Sequence, residues 1–330
     1  MTDYFYLTAE WDALLTGLGV STRNVLRRAQ LPEGLFSQVE VKLRTLEYFR
    51  VWNALAAESR DPSLPSRIAD RMVEAGSHPA VFAALCCSNL ASALHRLAAY
   101  WRRSAPMIFE VEHDANSVVA TLEWTGTCDP PPRALGHVEA ALLVRIAQTG
   151  STHVVQPLRV EMPHDSVSFD VLARALGVPI HGGDYVSVRF SNVDADRPFV
   201  GPNESMWARF PRSLRRGDDN TTATTEEQVR SSLLELLPSG RTSIGDVALW
   251  LGSSRRTLQR RLKHEGTKYQ TILRSVRIDL AHHYLEDTAL SHPDIAFLLG
   301  FESPNSFIRA FCTWTGRSPR KARGARVVSA

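Results

Sequence analysis

Apolar positions in the first hundred residues recur at helical spacing. Trp11, Leu14, Leu15 and Leu18 mark one face, and Val25, Leu26 and Ala29 a second. Leu46, Phe49, Trp52, Leu55 and Ala56 form a third, Ile68, Met72 and Val73 a fourth, and Leu90, Leu94 and Leu97 lead on to Trp101. The period then changes. Met107 to Val111 and Val118 to Trp124 predict strands, with Asp114-Ala115-Asn116 as the turn between them. Residues 133–149 return to helical spacing, Leu158 to Met162 alternates, 166–176 reads as helix and Val186 to Phe190 alternates. The first part of the chain is expected to be α+β, helices first, with a small sheet whose strand order the pattern does not give.

The clearest seam runs from Arg215 to Thr225, polar and rich in threonine, which is linker composition. It divides the chain into a domain at 1–216, a linker at 217–224 and an all-α domain at 225–330. Thr225 with Gln228 reads as a capping box opening a helix to about Leu237, which Pro238-Ser239-Gly240 ends. A unit then occurs twice, 48 residues apart. Ser243 with Asp246 and Ser291 with Asp294 are capping boxes. Val247-Ala248 and Ile295-Ala296 are matching apolar pairs, and Leu251-Gly252 and Leu299-Gly300 are matching stops. Gly252 and Gly300 fall where a short helix must reverse and positive φ favours glycine. A second helix follows each stop. Leu258 and Leu262 are the buried pair of the first. In the second, Ser303 is the N-cap, Pro304 stands at N1, and Phe307 and Phe311 are the buried pair. Each unit is thus a helix-turn-helix. Tyr269 to Leu285 reads as one helix of about 25 Å between them, a strut able to hold two reading heads about one DNA turn apart.

Charge adds a partner to this picture. The net charge of the 330 residues is only +3, but residues 221–330 hold 16 Lys+Arg against 10 Asp+Glu, whereas residues 1–220 hold 22 against 25. The positive excess lies with the repeated units, where a polyanion can use it. The longest apolar run, Ala80 to Cys87, is far too short for a membrane span, and the start lacks the pattern of a signal peptide. Cys86, Cys87, Cys128 and Cys312 form no C-x-x-C, so reduced thiols, no metal site and a cytoplasmic location are expected.

Residues 225–323 resemble the DNA-binding domain of the AraC/XylS family of bacterial transcription regulators. The resemblance rests on Asp294-Ile295-Ala296, Leu299 to Ser303, Phe307 to Phe311, Thr315-Gly316-Arg317-Ser318-Pro319 and Arg323. Pro304 and Ile308 stand where the family more often carries polar residues, which weighs against hydrogen-bonded readout by this half. More loosely, Leu90 to Trp101, Pro163-His164 and Phe199-Val200-Gly201-Pro202 resemble the effector-sensing domain of the arabinose-binding-like branch. The resemblance implies a double-stranded DNA operator, a small-molecule effector such as an amino acid or a fatty acid-like compound, RNA polymerase as partner, a homodimer and a place on the nucleoid.

The chemistry of readout follows from side-chain type. Opposite Leu258 and Leu262 lie Arg256, Gln259, Arg260 and Lys263; arginine grips guanine and glutamine grips adenine in the major groove. By analogy with the family, Arg256, Gln259 and Arg260 are the expected base contacts, and Arg255, Lys263 and Lys268 the expected phosphate contacts. In the second copy the candidates are Asn305, Arg309 and Ile308, the last against a thymine methyl. In the N-terminal domain Trp52, Trp101, Trp124 and Tyr185 are candidates for lining an apolar pocket, with core packing as the competing role. The Arg102-Arg103 pair suits a carboxylate or a helix dipole. His113, His137, His164 and His181 show no ligand spacing. No G-x-S-x-G, H-E-x-x-H, G-x-G-x-x-G or P-loop occurs, so no catalytic residue and no cofactor is assigned. The best reading is a ligand-responsive activator. The alternatives are an effector-free architectural DNA-binding protein and an enzyme domain fused to a DNA-binding module.

Overall fold

A computed structural model describes residues 4–7, 10–38, 41–75, 78–125, 127, 129–163, 166–200, 224–287 and 290–324. The chain divides into two compact units, residues 1–202 and 203–330. The linker expected at 217–224 lies, apart from Thr224, outside the described residues.

The first unit begins with a strand, not with the helices expected. Strand β1 (Tyr4–Leu7) pairs antiparallel with β2 (Val41–Arg44), across α1 (Glu10–Gly17) and α2 (Thr22–Arg28). Strands of four residues are too short to declare a period. Four helices follow: α3 (Thr45–Ser59), α4 (Leu64–Ala75), α5 (Pro79–Leu85) and α6 (Leu90–Ser104). Then come β3 (Met107–His113), β4 (Ser117–Trp124), α7 (Arg133–Gly150), β5 (Arg159–Met162), α8 (Ser166–Leu176), β6 (Ile180–Gly182), β7 (Val186–Ser191) and α9 (Asn192–Ala195). The larger sheet has the order β3-β4-β7-β5-β6, antiparallel except between β5 and β6. The turn expected at Asp114 closes the β3–β4 hairpin. The Asp114 carboxylate accepts from the backbone N–H groups of Asn116 (2.8 Å) and Ser117 (2.7 Å), and these bonds with the Ser117 hydroxyl hold it down near pKa 2.

Helix α7 buries an unbroken run from Leu135 to Val144. Arg145 ties it outward, donating to Asp70 of α4 (2.6 Å) and to the Ala175 carbonyl of α8 (3.3 Å). Glu139 is within the buried run, and burial lifts its carboxyl to about 8.

The second unit is all-helical: α10 (Thr225–Leu236), α11 (Ile244–Trp250), α12 (Arg255–His264), α13 (Tyr269–Asp287), α14 (His292–Leu298), α15 (Pro304–Thr315) and α16 (Pro319–Gly324). The opening capping box lies one residue earlier than expected. Thr224, not Thr225, is the N-cap, with Glu227 in place of Gln228. Two carboxylates decide this. Glu227 accepts from the Thr224 N–H (2.8 Å), while Glu265 accepts from the N–H groups of Thr225 and Glu226 (2.9 Å each). With the Glu227 N–H donating to the Thr224 hydroxyl (3.2 Å), all four free donors of the first turn are satisfied. Along α13, Ile272, Leu273, Val276, Leu280 and Leu285 are buried, as the spacing predicts.

Candidate nucleic-acid interface and sensory cavity

The two repeated units share their local construction. Ser243 caps α11 and Ser291 caps α14, each accepting from the N–H three residues on and each answered by an aspartate. Gly252 has φ +59° and Gly300 φ +68°, the left-handed conformation the reversal requires. A Cβ at Gly300 would also come within 2.5 Å of the Thr242 methyl, so this turn tolerates no side chain. Ser254 and Ser303 then cap α12 and α15.

Helix α12 turns Leu258 and Leu262 inward, each 1% exposed. Arg255, Arg256, Gln259, Arg260, Arg261 and Lys263 are all exposed. Among the described residues, none of these five cations is in an ion pair. The neighbouring carboxylate, Glu265, is committed to the start of α10. The helix therefore presents an unneutralised positive row to solvent, as a polyanion requires. Arg255, Gln259, Lys263 and Lys268 line one groove with Tyr269 and Gln270, a cavity of about 510 Å³. Arg256 and Arg260 do not line it; they form the neighbouring stripe of the helix, one turn apart. The residues expected to hold phosphate thus gather in one groove, with Gln259 between them and the two arginines expected to read bases.

Helix α15 is built differently. Phe307 and Phe311 are fully buried, Asn305 and Arg309 are exposed and Ile308 is half-buried. Pro304 stands in the first turn, where the missing N–H costs nothing.

Three residues make positioning contacts that the sequence reading did not assign. Arg277 of α13 donates to the carbonyls of Leu299 (2.9 Å) and Gly300 (3.0 Å), closing the end of α14, and its guanidinium lies 4.4 Å from the Phe301 ring centroid. Tyr269, at the start of α13, donates its hydroxyl to the Thr242 carbonyl (3.1 Å) ahead of α11. Arg323 of α16 donates to the Leu290 carbonyl ahead of α14. The signal for Arg277 was available in part, since it directly follows an apolar face position, Val276. Its carbonyl partners, 22 and 23 residues away, were not legible.

In the first unit the four aromatic candidates are not brought together. Trp52 is 2% exposed and lines a cavity of about 280 Å³. Trp101 packs near His78 and Tyr100, Trp124 ends β4, and Tyr185 is 47% exposed between β6 and β7. The cavity is walled by Leu55, Pro65 and Ile68, with Arg60 at the end of α3 and Arg133 and His137 in the first turns of α7. A second cavity of about 210 Å³ also touches Arg133 and His137. His113 does acquire a neighbour: its Nε2 lies 3.2 Å from that of His95 on α6. His181 is exposed on β6. Arg102 is exposed near the end of α6. His164, Cys128, Gly201 and Pro202, and the side chain of Arg103, lie outside the described residues.

With this geometry in view, the likenesses to known proteins divide as the fold does. Residues 19–199 match the family model of the arabinose-binding domain of AraC transcription regulator, N-terminal, and residues 247–325 match that of a helix-turn-helix domain. The ornithine utilization regulator of Pseudomonas aeruginosa is 42% identical over 93 residues, 28% of this chain and 27% of that protein's length. The HTH-type transcriptional regulator VirS of Mycobacterium tuberculosis is 25% identical over 321 residues, 96% of this chain and 94% of its own. The crystal structure of the transcriptional regulator CdpR from Pseudomonas aeruginosa aligns over 97% of this chain and 99% of that one, with a TM-score of 0.42 at 20% identity.

Proposed function

The chain belongs to the AraC family of transcription regulators, and from that premise we propose how this DNA-binding regulator reads its operator. Helix α12 enters one major groove, with Arg256 and Arg260 on guanines and Gln259 on adenine. Arg255, Lys263 and Lys268 hold the flanking phosphates. Helix α15 enters the next groove, where Asn305 and Arg309 supply the polar contacts and Ile308 meets a thymine methyl. The observation that carries this reading is the row of unpaired cations on α12, directly opposite Leu258 and Leu262.

The test is selection by the full chain from a randomised double-stranded DNA library. We expect a bipartite site whose two halves are about 10 bp apart, the upstream and downstream halves differing in information content. A sequence-independent pool would sink the proposal and favour the architectural alternative.

The N-terminal unit supports a second part of the proposal. It binds a small effector, self-associates into a homodimer and, across the joint at residues 217–224, shifts the arrangement in which the reader engages the operator and RNA polymerase to activate transcription. Such coupling is reciprocal, so operator DNA must change effector affinity by the same factor. The supporting observations are the match of residues 19–199 to a ligand-binding family model and a cavity beside α7. Among the described residues no helix is long and apolar enough to cross a membrane, and a cytoplasmic site of action fits the proposal.

A further inference from the structure

The cavity beside α7 has a chemistry that narrows the effector, and the inference drawn from it rests on the ligand-responsive reading above. Its walls are apolar, formed by Trp52, Leu55, Pro65 and Ile68. Its lining carries two arginines and one carboxylate. Arg60 and Arg133 are both exposed at its edge. The carboxylate on the lining, Asp61, is already engaged, accepting from the N–H (2.9 Å) and hydroxyl (2.7 Å) of Ser63 and pairing with Arg67 (3.0 Å). Arg60 has no ion-pair partner among the described residues.

The backbone at Arg60 points the same way. It is the C-cap of α3 and has φ +51°, a left-handed conformation in which glycine is the ordinary occupant. A long cationic side chain held there at a conformational cost is better explained by what its guanidinium meets than by the turn itself. From the other side, the first turn of α7 borders the same cavity and its N-cap, Pro132, supplies no side-chain acceptor. That end of an 18-residue helix favours an anion as well.

We propose that this cavity is the effector site and that it takes a small monocarboxylate with a branched or aromatic apolar body, the carboxylate between Arg60 and Arg133 and the body against Leu55 and Ile68. A volume of about 280 Å³ is small for a ligand pocket and suits a compact body better than a long acyl chain. A free amino acid is disfavoured for a different reason. Its ammonium group would have to displace Arg67 from Asp61 or remain unpaired beside two guanidinium groups.

The test uses the full chain and three probes of nearly equal shape: 4-methylpentanoate, its amide and leucine. Calorimetric titration is expected to show the carboxylate binding at least about tenfold more tightly than the other two. Arg60→Gly and Arg133→Gln should each remove about tenfold of that affinity while leaving the amide unaffected. Arg60→Gly is the cleaner variant, because glycine suits φ +51° and the unliganded protein should melt no lower than wild type. Phenylacetate against phenylacetamide repeats the comparison with an aromatic body. Equal binding of acid and amide, tighter binding of leucine, or no binding of either acid at millimolar concentration would overturn the proposal. Operator affinity, measured separately, distinguishes the two readings. An uncharged metabolite that shifts operator affinity would keep the ligand-responsive reading and overturn the carboxylate. A carboxylate that binds through both arginines without shifting operator affinity would support this site and remove the coupling.

Discussion

The two helix-turn-helix units follow one sequence pattern and use it for different ends. In the first, the capped helix α11 buries only Val247 and Ala248 and leaves Leu249 73% and Trp250 50% exposed. Its second helix, α12, turns a row of unpaired cations outward. In the second unit, the corresponding helix α14 buries every residue from Asp294 to Leu298, and α15 contributes two phenylalanines to the core with two exposed polar groups, Asn305 and Arg309, among the candidates. Arg277 fastens this second unit to α13 from the carbonyl end. On the proposed reading, the first unit supplies more of the base readout and the second, more deeply packed, supplies less. Duplication of a motif does not duplicate its chemistry; burial decides how many side chains remain available to a partner.

Four comparisons break or sharpen that contrast. The largest effect is expected at Arg277. Arg277→Ala leaves the Leu299 and Gly300 carbonyls without their donor and should lower unfolding stability by about 2–4 kcal/mol in chemical denaturation, with Arg277→Lys restoring little because it lacks the fork. Next comes Arg260→Ala, expected to weaken specific operator binding by about 1–3 kcal/mol and to relax one base position in library selection. The matched change in the second unit, Arg309→Ala, should cost less and relax its own base position less. If Arg309→Ala relaxes a base position as fully as Arg260→Ala does, the division of labour is wrong.

The third comparison uses the caps. Ser291 and Asp294 are each 2% exposed, whereas Ser243 is exposed. Ser291→Ala should destabilise by about 2 kcal/mol, because a buried carboxylate loses a donor at 2.6 Å, and Ser243→Ala by about 1 kcal/mol. Equal losses in thermal unfolding would show that the second unit is no better anchored than the first. The smallest effect is expected for Lys268→Ala, which should weaken all DNA sequences alike and reduce the salt-dependence slope of binding by about one.

Much of the reader was legible before any coordinates. Capping boxes, positive-φ glycines and pairs four residues apart are local rules, and Ser243, Gly252, Leu258, Ser291, Gly300 and Phe307 obey them. The Thr225 box missed by one residue because Glu265, forty residues distant, competes for the same donors. The sensory unit was less legible. Strands β1, β2 and β6 have four, four and three residues, too few for a period to emerge, and Trp52 joined a cavity while Trp101, Trp124 and Tyr185 did not. An aromatic residue announces burial equally well in a core and in a pocket wall.

By itself, then, the sequence determined the helices, their caps and reversals, the basic excess of the last third and the inward pairs of α12 and α15. These depend on neighbours within a turn or two, where spacing and side-chain type suffice. Only the tertiary structure decided which cations stay unpaired, that Arg277 closes α14, and that Arg60 and Arg133, 73 positions apart in the chain, share one cavity. Those outcomes depend on which distant backbone carbonyls and carboxylates arrive within hydrogen-bonding reach, and no local period encodes that.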